Sequence, residues 1–141
     1  MFLSDLIDGT KKVDSDRVSN YVTKGIYLIN DEKTDDTRQL DFKIISETGK
    51  QSYKATMFFN LESDKKSLVE SDVKVNCDCM DHRFTFSYHN FKNDCHFGVA
   101  PEAYQRKTDR PSKNPKNYIG MCKHLLGAFH FAKSKNIFKY S

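Results

Sequence analysis

Apolar residues change their spacing twice along this chain. Leu3, Leu6 and Ile7 share one helical face, and Val13, Val18 and Val22 form a weaker one. Residues 1–35 therefore read as short helices or as an arm that packs on a neighbour, ending in the acidic, turn-like run Asp31–Thr37. From Leu40 the period drops to two. Leu40, Phe42 and Ile44 alternate with Asp41 and Lys43, residues 47–50 (ETGK) supply a turn, and Tyr53–Asn60 continues in β-branched and aromatic types. This predicts a hairpin of two half-buried strands. Leu61–Ser71 is polar, a loop or helical turn. Val73, Val75, Cys77 and Cys79 then share one parity, so the first cysteine pair sits at a strand end or in the turn leaving it. Phe84, Phe86 and Tyr88 resume the alternation and predict more strand.

After that the pattern lapses. Residues 90–118 are polar, irregular and contain all three prolines, the mark of a long insert loop. From Cys122 the period returns to helical, with Leu125, Leu126, Phe129 and Ala132 on one face. Ile137, Phe138 and Tyr140 form an apolar tail that adds an edge strand or docks elsewhere. The expected fold is α+β: a small antiparallel sheet packed by a C-terminal helix, spanning residues 36–141.

Composition makes this core look thin. Hydrophobic residues are 38% of the 141, with eleven Phe, seven Tyr and no Trp. Counted with Gly and without Tyr, the apolar share is roughly 37%, against about 45–50% for ordinary globular domains. Such a chain needs help from a metal, a partner or an assembly. No stretch approaches the ~20 apolar residues of a membrane span. The opening MFLSDLIDGTKK carries Asp5 and Asp8 and no apolar run, so export through a signal peptide is not expected. In a reducing compartment, four Cys and five His point to metal chemistry more than to disulfides.

The candidate ligands are Cys77, Cys79, Cys122 and His124, in the order C-x-C…C-x-H. A closed structural zinc site takes four such thiolate and imidazole ligands. In extended backbone, residues i and i+2 project to one face, so Cys77 and Cys79 can meet one ion. On a helix, i and i+2 lie about 200° apart, so Cys122 and His124 must straddle the helix start. There the positive end of the helix favours a thiolate. The metal would clamp sheet to helix across residues 80–121. Cys95 and His96 are neighbours, and either could replace His124 or serve another site; otherwise they read as a loop thiol and a solvent imidazole. His82 and His89 read as surface or packing residues, and His130 lies on the C-terminal helix.

Charge is uneven. Residues 1–79 hold twelve basic and fifteen acidic residues, a net −3, whereas residues 80–141 hold eleven and four, a net +7. Within the insert, residues 105–116 carry Arg106, Lys107, Arg110, Lys113 and Lys116 against Asp109. Two prolines extend this strip. It suits a phosphate backbone or an acidic partner, with Tyr104 and Tyr118 available for stacking, unless it is a solvated spacer. An enzyme is not expected: Cys95 and His96 are too close in sequence to face each other as nucleophile and base, the six glycines are scattered rather than gathered into a phosphate loop, and four protein ligands leave no open position on the metal.

With its C-x-C…C-x-H order, the chain resembles the SWIM-type zinc finger, though residues 80–121 are longer than the usual insert. The resemblance implies Cys77, Cys79, Cys122 and His124 as ligands of a structural Zn2+, and binding to DNA or protein without catalysis. Residues 73–130 also resemble small proteins of tailed bacteriophages that read C-x-C-x-D-[FH]-R-F-x-F-x-Y-x-N, then a polar insert, then K-N-P…G-x-C-K-H-L. Here these are Cys77–Asn90, Lys113-Asn114-Pro115 and Gly120–Leu125. That likeness implies a minor virion component of the tail or neck, made in the host cytoplasm, whose partners are other virion proteins. Burial of Leu3, Leu6, Phe138 and Tyr140 against other chains would fit it. The alternative is a nucleic-acid-binding module that uses residues 105–116. Neither reading calls for a membrane or a small-molecule substrate.

Overall fold

The alternation at residues 40–60 does form a hairpin, the centre of the computed structural model, which describes residues 1–61, 68–101 and 113–138. Strands β1 (Ile26–Lys33), β2 (Thr37–Ile45), β3 (Ser52–Asn60) and β4 (Asp72–Cys77) make one antiparallel sheet in the order β1-β2-β3-β4. Helices α1 (Leu3–Val13), α2 (Ser87–Lys92) and α3 (Lys123–Ser134) complete an α+β fold.

Period two sorts the sheet into two faces. Across β2, β3 and β4 the register sets Phe42 beside Ala55 and Cys77, and Leu40 beside Met57 and Val75. These side chains are buried, and Leu125, Leu126, Phe129 and Ala132 of α3 join them in one core. The opposite face is polar, yet its centre is closed. Asp41 is only 4% exposed and accepts hydrogen bonds from Thr56 Oγ1 at 2.6 Å, Asn30 Nδ2 at 2.9 Å and Gln39 Nε2 at 3.0 Å. Burial pushes its carboxyl up, but these three donors and Lys54 outweigh burial and hold it below the usual carboxylate range.

Three expectations need correction. Residues 26–33, grouped above with an N-terminal arm or short helices, form β1 and pair with β2. The helical face of Leu3 and Leu6 is real, but it is buried in this chain's own core rather than on a neighbour. Phe138 likewise packs at home, 5.5 Å from the Phe129 ring and 6.2 Å from Phe59, while Tyr140 lies outside the described residues.

The third is the aromatic run after the cysteines, which is helical: a π-helical stretch, His82–Phe86, leads into α2. Its buried residues include His82, Thr85, Phe86 and Asn90, a helical spacing masked by counting only Phe84, Phe86 and Tyr88. The polar members of that face carried the true period. Within the insert, 102–112 lies outside the described residues. Its flanks are structured: Cys95 is fully buried and Val75 bridges to His96. Among the described residues no helix is long and apolar enough to cross a membrane.

Candidate metal centre

Cys77 is the last residue of β4, on the core-facing parity. The strand pairing runs one residue further, because the Asp78 N–H donates to the Lys54 carbonyl at 3.2 Å and the Lys54 N–H donates to Asp78 Oδ1 at 3.0 Å. That extension keeps the backbone extended through Asp78 and returns Cys79 to the side of Cys77. From the other direction, Cys122 is the N-cap of α3 with extended backbone (φ −72°, ψ 173°). His124 falls in the first turn, as the 200° argument requires.

The result is a cluster. One ligand atom from each of Cys77, Cys79, Cys122 and His124 lies within 4.8 Å of every other, and all four residues are buried. Cys122 Sγ and His124 Nδ1 are 4.0 Å apart. A tetrahedral ion with bonds of about 2.0–2.3 Å holds its ligand atoms roughly 3.3–3.8 Å from one another, so the set can close on a metal with small side-chain adjustments. The cysteines are free thiols. Neither Cys95 nor His96 belongs to the cluster: Cys95 is a buried core residue whose thiol burial pushes up to about 11, and His96 Nε2 lies 2.9 Å from the Val99 carbonyl.

The electrostatics favour a cation. Contacts from the Cys122 and Cys77 thiols draw the Cys79 thiol far down, and the His82 N–H at 3.3 Å from its sulfur assists. Burial and the two neighbouring sulfurs push Cys122 up. Cys77 is lowered by Cys122, but Cys79 and burial raise it more. Three sulfurs this close cannot all carry charge in a low-dielectric interior without a counter-ion. A divalent cation is what lets them.

Sequence reasoning missed the residues that hold the cluster in place. Asp81 receives a two-pronged ion pair from Arg17, at 2.9 and 3.2 Å, and a bond from Thr85 Oγ1. Asn90 Nδ2 donates to the Gly120 carbonyl and Asn90 Oδ1 accepts the Gly120 N–H, at 2.9 and 3.0 Å. Asn114 Nδ2 donates to the carbonyls of Thr85 and Tyr118, and Asn114 Oδ1 accepts the Tyr118 N–H. Thr10 Oγ1 accepts the Met121 N–H at 2.9 Å. Gly120 is required here, since a Cβ would run into the Phe86 ring and Thr10. These contacts fix the segment entering Cys122. Asp81, Asn90 and Asn114 have no ligand role, and each is pinned by partners far along the chain, so the local pattern gave no sign of them. On the sheet side, the Tyr53 ring lies 4.4 Å from that of His124.

His82 is fully buried, and among the described residues neither ring nitrogen has a hydrogen-bond partner. Burial pulls it down to about 4, so it is neutral at ordinary pH. His89 is half-buried and His130 stacks on Tyr21 at 4.1 Å. Of the basic strip, Lys113 and Lys116 are exposed, while Arg106, Lys107, Arg110 and Tyr104 lie outside the described residues. Comparison with family models, curated proteins and solved structures finds no match to this chain.

Proposed function

We propose that this protein is a non-enzymatic, zinc-clamped structural or connector protein of a large assembly. The observation that carries the reading is the closure of the site: four buried protein ligands from a strand end, a turn and a helix start converge within 4.8 Å. Four protein ligands fill a tetrahedral zinc and leave no position for substrate or water, which is the form of a structural site. The three-thiolate, one-imidazole set favours zinc over the hard cations that take oxygen ligands. Bound there, the metal ties β4 to α3, and its binding energy becomes folding energy.

A place in a tailed-phage particle rests on the likeness of residues 73–130 to small phage proteins, together with the SWIM-like ligand order. Metal analysis of natively purified, reduced protein should find one zinc per chain, and chelation should lower its melting temperature. Metal-free protein with an unchanged melt would sink the clamp. Mass spectrometry of purified particles tests the virion setting, and absence of the protein from them refutes it.

A second reading is nucleic-acid binding through residues 105–116, favoured by the net +7 of residues 80–141 and the exposure of Lys113 and Lys116. Such binding would weaken steeply with salt. Replacing Arg106, Lys107 and Arg110 by Ala would abolish it, and unchanged affinity removes this reading.

A further inference from the structure

The two edges of the sheet are treated differently. Along β4, Val73 donates its N–H to the Met1 carbonyl at 2.8 Å, Val75 donates to Cys95 at 2.9 Å, and Phe97 donates to Val75 at 3.0 Å. That edge is sealed. β1 is the other edge, eight residues long, and among the described residues no strand or loop pairs along its outer side. Its middle is apolar and open to solvent: Tyr27 is 54% and Ile29 55% exposed. Ile29 sits at a bulge, without a partner on β2.

Charge is graded along this edge. At its start Lys24 is exposed, and Lys43, opposite Tyr27 on β2, is exposed too. At its end stand Glu32, Lys33 and, in the turn to β2, Asp35 and Asp36, all exposed and together net acidic. A strand with a basic head, an apolar centre and an acidic tail is complementary to itself in antiparallel orientation and repulsive to itself in parallel. We infer that β1 is a self-pairing edge: a second copy of this chain docks antiparallel along it about a two-fold axis near Ile29, joining two sheets into one.

Main-chain hydrogen bonds supply the pairing, and a two-fold contact is the commonest way a chain meets its own copy. Lys24 of each copy then meets the Asp35–Asp36 turn of the other, and the two Ile29 side chains meet at the axis. The inference deepens the assembly reading by naming a partner, but it stands on the sheet edge and not on the metal centre.

The test is sedimentation equilibrium of the reduced, metal-loaded full chain, with metal content measured on the same sample. The parent should show twice the mass of one chain, and association should weaken with added salt as the end charges are screened. Ile29→Asp, at an exposed site, should weaken association at least about tenfold with an unchanged circular dichroism spectrum. Lys24→Glu and Asp35→Lys should each weaken it, and the double variant should restore it. A monomer at every concentration overturns the inference and assigns the bulge and charges to keeping a bare edge unpaired. So does a dimer indifferent to these substitutions. Either result with metal still bound leaves the clamp standing, whereas a metal-free dimer that passes the charge-swap test strikes the clamp alone.

Discussion

The sheet with α3 and the described stretches 78–101 and 113–121 are held together by different means. In the first, apolar side chains at period two meet an apolar helix face, and Leu40, Phe42, Met57, Phe59 and Leu125 are fully buried. In the second, the buried set includes His82, Thr85, Ser87, Asn90 and Asn114 beside Phe86 and Met121, and the fixed points are side-chain-to-backbone hydrogen bonds and the cysteine–histidine cluster. Non-directional burial tolerates small errors of position. Directed bonds to a backbone group or a metal do not, which is why a segment short of apolar residues can still present Cys122 and His124 at a set place.

Removing the metal that the proposed clamp would hold should break the comparison most sharply. In small zinc domains the bound ion contributes about 10–16 kcal/mol of folding free energy. Chelation, or Cys122→Ser, should therefore cost more than any single core substitution and should expose residues 78–101 and 113–121 to amide exchange before the sheet. Uniform loss of protection across both regions would show that they do not differ. Leu125→Ala should come next. It deletes a fully buried side chain where α3 meets the sheet and should cost about 2–5 kcal/mol in denaturant unfolding with metal stoichiometry unchanged.

Asn90→Ala should follow. It leaves the buried Gly120 N–H and carbonyl without their partner, a loss of about 1–3 kcal/mol, and metal affinity should fall with it because that segment leads into Cys122. Unchanged affinity would separate the polar pins from the metal centre.

The smallest effect at neutral pH concerns His82. Because burial holds it at about 4 against an ordinary 6.5, the unfolded chain takes up a proton below about pH 6.5 that the folded chain refuses. Stability on its account falls as pH drops from about 6.5 to about 4, and the loss is complete below that. His82→Phe should abolish this part of the acid sensitivity, read as the difference between parent and variant so that ligand protonation cancels. Near neutral pH it should leave the protein equally or slightly more stable, since the imidazole makes no hydrogen bond among the described residues. Identical acid profiles would refute the assignment.

What could be read along the chain follows the same division. The β2–β3 hairpin and α3 were legible because burial alone sets their residue types, and the period survives in the sequence. The ligand pairs were legible because backbone geometry constrains i and i+2 whatever the surroundings. β1 was obscured by a bulge after Leu28 and by the acids at its end. The π-helical stretch was obscured because its buried face is partly polar: Thr85, Asn90 and His82 look like surface until their neighbours are known. Arg17 with Asp81, sixty-four positions apart, leaves no local trace at all.

By itself, the amino-acid order determined the α+β class, the central hairpin, the closing helix and the four metal-type side chains, since each depends on spacing along a few residues. Tertiary structure alone decided that those side chains converge, that Leu3, Leu6 and Phe138 are buried at home, and that the β4 edge of the sheet is covered. These depend on distances between segments far apart in the chain, and only the packed core and its polar pins set those distances.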